Sequence, residues 1–119
     1  MKLLNDNIPK VLRKPGKGLM ECLQAFERAH AINRVVLFGS YARGDARPDS
    51  DVDLCIVAEG VENQLDAARD FRRAIRDIHP KPAFTLIPIT PARLDEKTES
   101  KDHFYNTIME EGLCVAQKD

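Results

Sequence analysis

No apolar run in the chain approaches the length of a membrane span, and the N-terminus carries charge at Lys2 and Asp6, too early for a signal-peptide core. The expected location is the cytoplasm. Cysteine is scarce: Cys22, Cys55 and Cys114 are odd in number, widely spaced and set among apolar neighbours. That pattern indicates neither a disulfide framework nor a zinc site, and leaves three small buried hydrophobes. His30, His79 and His103 form no metal-ligand spacing and read as surface or helix-end residues. Net charge is nearly absent as well. The 18 Lys and Arg against 19 Asp and Glu give a formal charge of -1 at pH 7, which argues against a polyanion binder and against duplex DNA as a partner. There are no internal repeats and no low-complexity tracts. A chain of 119 residues supports one domain with one modest core, so a large acceptor-binding domain would belong to another protein or subunit.

What is present is concentrated between Leu37 and Leu54. Val35-Val36-Leu37-Phe38 is a short apolar run that ends on Gly39, where a small residue lets a bulky ligand approach the backbone. Ser40 is placed to cap a one-turn helix over Tyr41-Ala42-Arg43 that Gly44 closes, so its hydroxyl and the first free N–H groups converge where an anion could sit. After a turn segment from Asp45 to Ser50, the run from Asp51 to Val57 alternates with a period of two. Asp51 and Asp53 then share one strand face, and Val52, Leu54 and Ile56 the other. The two carboxylates would lie about 6.6 Å apart along the strand. At an effective dielectric near ~20 this spacing implies about 2–3 kcal/mol of repulsion, which a divalent cation would turn into binding energy. Hard oxygen ligands with room left for water and phosphates suit Mg2+.

Gly39-Ser40, ten residues, then Asp51-Val52-Asp53 resembles the signature of the DNA polymerase beta nucleotidyltransferase superfamily, and more narrowly that of the minimal nucleotidyltransferase (MNT) family. The resemblance implies the nucleotidyltransferase fold of the polymerase beta type and transfer of a nucleoside monophosphate, AMP from ATP first among them, to a hydroxyl acceptor. By the same resemblance Asp51 and Asp53 are catalytic metal ligands, and Gly39 and Ser40 contact the β and γ phosphates. Arg43 and Arg47 are further candidates for phosphate contact, although either could equally pair with Asp45 or Asp49. The family also supplies a third carboxylate from the following strand, and Thr85 stands where it is expected. A threonine hydroxyl is no base near neutral pH. No Asp or Glu occurs between Asp77 and Asp95, so a slip of one residue would not rescue the position.

Along the rest of the chain, residues 1–17 are basic, broken by Pro9 and Pro15, and read as a loosely ordered arm ahead of a single domain at 18–119. Leu19, Cys22, Leu23 and Phe26 predict an amphipathic helix running to about His30, followed by a turn over Ala31–Arg34. Val61, Leu65, Ala68, Phe71, Ile75 and Ile78 predict a long helix that stops before Pro80 and packs on the sheet. Ala83–Ile89 reads as a strand, with Pro88 suggesting an edge or an end. Thr90-Pro91 then starts a short helix, and a last helix from about Lys101 stops at Gly112 before Leu113-Cys114-Val115. The alternation predicts an α/β fold, a small mixed β-sheet flanked by helices. Tyr41, Phe104 and Tyr105 read as packing or rim residues rather than as a base-binding platform.

Three functions fit these features. The first is an active transferase whose base comes from the acceptor protein, from solvent or from Asp95, Glu96 or His103. Its acceptor hydroxyl, by family resemblance, belongs to a partner such as a HEPN-domain ribonuclease toxin, which makes the chain an antitoxin. The second is a non-catalytic nucleotide- or partner-binding module that acts by occupancy alone. The third, a transferase for a small acceptor such as an antibiotic, is disfavoured by the lack of a second domain. The sequence leaves open a homo- or hetero-oligomer.

Overall fold

The computed structural model describes residues 1–14 and 16–119. Five strands form one sheet: β1 (Lys2–Leu3), β2 (Ile32–Phe38), β3 (Val52–Ala58), β4 (Phe84–Ile89) and β5 (Leu113–Gln117). Their spatial order is β1-β5-β2-β3-β4. β3 and β4 run parallel and the other neighbours antiparallel, so the sheet is mixed as expected. The helices are α1 (Lys10–Arg13), α2 (Leu19–Phe26), α3 (Ser40–Arg43), α4 (Gln64–Ala74), α5 (Pro91–Glu99) and α6 (His103–Glu111). None is long and apolar enough to cross a membrane among the described residues.

Alternation along the strands builds a core on each face of the sheet. Val35, Leu37, Leu54 and Ile56 join Leu23 and Phe26 of α2 and Phe71 of α4 on one face. Val36, Cys55 and Val57 meet Leu94 of α5 and Tyr105 and Ile108 of α6 on the other. Phe26 holds the larger core together through edge-on contacts, its ring centroid 5.5 Å from that of Phe71 and 5.9 Å from that of Phe84. Burial pushes the Cys22 thiol up to about 11 and the Cys55 thiol up to about 12. Both behave as inert packing residues, while Cys114 is half-buried.

Several boundaries differ from the sequence reading, each for a local reason. The arm expected to be loosely ordered over residues 1–17 is tied to the domain: β1 pairs with β5, and Ile8 and Leu12 enter the core. Its charge does not keep it free, because Ile8 and Leu12 are buried in the core even though Val11 stays exposed. Pro15, read as a break in that arm, lies outside the described residues. The strand begins at Ile32, within the expected turn, and α2 ends at Phe26 rather than near His30. The long helix is shorter than its periodicity suggests. Asn63 caps α4 by accepting from the backbone N–H of Asp66, so Val61 precedes the helix and Ile75 and Ile78 follow it. Leu65 is consequently 73% exposed, and Ala67 and Phe71 carry the buried face. Thr90 and Asp102 cap α5 and α6 through their side chains, and Pro88 lies on β4, an edge strand.

Truncating Ile8, which is 1% exposed, tests whether the N-terminal segment belongs to the folding unit. Ile8→Ala should lower the free energy of urea unfolding by about 2–5 kcal/mol. A change within about 0.5 kcal/mol, the scale of a surface substitution, would show that the segment adds nothing to the core.

Candidate active site

The cleft begins where β2 stops. In the antiparallel register Phe38 pairs with Asp53, so the next residue, Gly39, faces the start of β3. Gly39 has φ 74°, a conformation that favours glycine, and a Cβ at this position would collide with the Asp53 carboxylate. The glycine therefore both turns the chain into α3 and leaves room for the acid. Ser40 was expected to cap α3; instead Gly39 occupies the cap and Ser40 is the first helical residue, without a side-chain capping bond. Gly44, at φ 86°, ends the helix with its N–H donating to the Ser40 carbonyl at 3.0 Å.

Asp51 and Asp53 flank Val52, whose N–H donates to the Ala83 carbonyl at 2.8 Å and ties the start of β3 to the start of β4. The parallel register then sets Thr85 directly beside Asp53. The Thr85 hydroxyl donates to Asp51 Oδ2 at 3.3 Å. Burial raises the Asp53 carboxyl above its ordinary range; the Thr85 hydroxyl counters this, the negative Asp51 adds to it, and Arg43 opposes it. Such a pair of acids resists joint ionisation and suits a hard cation placed between them and open to water and phosphate oxygens. Among the described residues no group of three or more His, Cys, Asp or Glu side chains could hold a metal ion.

A cleft of about 420 Å³ opens over this edge, lined by Gly39, Ser40, Arg43 and Asp53 on the signature side. Its opposite wall is one face of α6, with Phe104, Thr107, Ile108 and Glu111, and its floor includes Phe38. Arg43 is exposed, with Nε 3.4 Å from Asp45 Oδ2, an ion pair weak enough in solvent to exchange for a phosphate. Arg47 does not line the cleft; its backbone N–H donates to Ser50 Oγ at 2.8 Å within the turn. Asp95, Glu96 and His103 lie on α5 and α6 away from the lining, and Glu96 sits 3.6 Å from Arg93. Sequence reasoning missed Thr107 and Glu111, because their only signal was a spacing of four along a helix whose orientation was unknown. His30 does not join the site: its Nε2 is 3.2 Å from Asp70 Oδ2 on the far side of the sheet.

The nucleotidyltransferase domain family matches residues 19–115, and the chain belongs to that family. Two proteins of Methanocaldococcus jannaschii are similar in sequence. One, named "Putative protein adenylyltransferase MJ1305", is 35% identical over 77 residues, which is 65% of this chain and 44% of that protein. The other, named "Putative protein adenylyltransferase MJ0604", is 40% identical over 45 residues, 36% of this chain and 45% of that protein. The chain thus spans less than half the length of these curated relatives. A crystal structure described as a putative nucleotidyltransferase from Sulfolobus solfataricus shares the fold, with a TM-score of 0.58 at 21% identity over 82% of this chain and 76% of that one.

Two stability measurements probe this geometry. Gly39→Ala should destabilise the fold more than Gly44→Ala, since both residues have positive φ but only the first would meet a carboxylate. The excess should vanish in an Asp53→Ala background, and an equal cost at both glycines would disprove the contact. For Asp53 the folded chain keeps the proton to higher pH than the unfolded chain, so ionisation costs stability at neutral pH and stability rises as pH falls through the folded value. Asp53→Asn should accordingly raise the thermal midpoint at pH 7, with the gain shrinking as pH falls into the ordinary carboxylate range.

Proposed function

We propose that the chain is the nucleotide-handling domain of a Mg2+-dependent transferase that moves AMP from ATP to a hydroxyl on a partner protein. The observation that carries the reading is the convergence of Gly39, Ser40, Arg43 and Asp53 on one cleft, with Asp51 held at the same edge through Thr85. Gly39 and Ser40 offer backbone N–H groups and a hydroxyl to the β and γ phosphates, and Arg43 adds a cation by releasing Asp45. Arg47 becomes a phosphate contact only if the turn at 45–50 folds toward the cleft. Asp51 and Asp53 are the residues that would hold Mg2+, which when bound neutralises charge on the attacking and leaving oxygens. The acceptor oxygen forms a bond to the α-phosphorus, the bond to the β-phosphate bridge breaks, and pyrophosphate leaves. The acceptor's proton goes to water or to a group of the acceptor protein, because Thr85 cannot take it.

The names of the Methanocaldococcus jannaschii relatives support a protein acceptor and an adenylyl donor. The resemblance to MNT proteins suggests a HEPN-domain toxin as that acceptor, which makes the chain a cytoplasmic antitoxin and the working unit a hetero-oligomer at least in passing. Thr85 favours a second reading, in which the same site holds Mg-ATP or the partner without transferring anything.

Labelled α-phosphate separates the two. With Mg2+ and the partner, label should reach the protein acceptor, and EDTA or Asp53→Ala should abolish it; Thr85→Asp, which restores a third carboxylate, should speed transfer about tenfold or more. Persistent Mg-nucleotide binding without transfer, unchanged in Thr85→Asp, would establish the occupancy reading.

A further inference from the structure

The geometry points to Phe104 as the surface on which the nucleotide's base stacks, an inference that rests on the nucleotide-binding reading of the same cleft. Phe104 is one of the few large apolar side chains left exposed, at 47%, and it lies in the wall of the cleft rather than alone on the surface as Leu65 does. Its ring is fixed from two sides by edge-on contacts, with centroids 6.0 Å from Phe38 and 5.2 Å from Tyr105. Tyr105 is itself anchored, since Gln64 Nε2 donates to its hydroxyl at 3.1 Å and to the Pro88 carbonyl at 2.8 Å. Packed on these two neighbours and still half in solvent, the ring loses little entropy when a ligand settles on it.

The composition of the cleft selects the ligand. Its signature side carries Ser40, Arg43 and the turn at Gly39, all suited to an anion, and the floor and opposite wall carry Phe38, Phe104 and Ile108, suited to a flat apolar group. Phe38 immediately precedes Gly39, so the aromatic pair begins one residue from the phosphate turn. A nucleotide has that same division into an anionic end and a flat π-face at a fixed short separation. The volume of about 420 Å³ falls in the range of roughly 300–1,000 Å³ typical of small-ligand sites. Stacking tolerates any base, so Phe104 contributes affinity and places the α-phosphorus without choosing among nucleotides.

Calorimetric binding with Mg2+ tests this, using an ATP analogue with a methylene between the α and β phosphorus, and inorganic tripolyphosphate as a ligand without a base. The wild-type chain should bind the analogue more tightly than tripolyphosphate. Phe104→Ala and Phe104→Leu should each weaken the analogue by about tenfold, the loss expected when a base–aromatic stack is removed, and leave tripolyphosphate unchanged. Phe104→Tyr should retain tight binding. Phe104→Leu keeps the apolar bulk and so serves if the alanine variant fails to fold. Unchanged affinity for the analogue, or an equal fall for both ligands, would overturn the stacking role while leaving the phosphate half standing. Failure of the wild-type chain to bind either ligand would overturn the nucleotide reading itself.

Discussion

The antiparallel pairing of Phe38 with Asp53 sets the geometry of the cleft's signature side. One residue beyond that pair, the chain on one strand must turn while a carboxylate on the other occupies the space a side chain would need. Only glycine satisfies both demands. A second glycine does comparable work on the opposite wall: a Cβ at Gly112 would meet the Ile108 carbonyl and Val36 Cγ1. Its absence lets α6 pass directly into β5 close against β2, and so holds the face bearing Phe104 and Thr107 over the end of the sheet. Two missing side chains thus define the two walls of one cleft.

The register between β3 and β4 explains what the threonine does in place of a carboxylate. Beside Asp53 a third acid would add a third negative charge to an edge where burial already disfavours the second. Thr85 instead donates its hydroxyl to Asp51 and adds no charge. The resting site is easier to fold in this form, and on the proposed function a cation there would be held with less electrostatic pull than by a triacid. On that reading the loss falls on proton removal from an acceptor rather than on nucleotide retention.

The signature was legible in the sequence because strand alternation and glycine placement are local properties. The alternation from Asp51 to Val57 is what the structure carries, with Cys55 and Val57 on the α6 side and Leu54 and Ile56 on the other. The mixed sheet and its helical flanks were equally readable. The partners of each element were not. Nothing local to Leu113–Gln117 says that it pairs with β2 and with β1, and for that reason the N-terminal segment was read as a free arm. Val61, Ile75 and Ile78 illustrate the other limit: a hydrophobic period continued across a cap counts residues that the helix does not contain. Phe104 read as a rim residue because its environment depends on how α6 lies across the sheet, which its own spacing cannot specify.

The groups that adjoin the cleft differ in chemistry from one another and meet at one place. Elsewhere Asn63, Thr90 and Asp102 cap their helices and His30 meets Asp70, while the buried Arg34 Nε has no hydrogen-bond partner. The cleft gathers groups of several kinds. A carboxyl there is held above its usual range, a backbone turn needs positive φ, an arginine has only an exposed ion pair, and an aromatic ring is half in solvent. The raised carboxyl and the positive-φ turn cost folding free energy, and a single ligand carrying a cation, phosphates and a flat ring would engage the carboxyl, the arginine and the aromatic ring together. These groups adjoin one cavity, and their chemistry is complementary to the parts of one molecule.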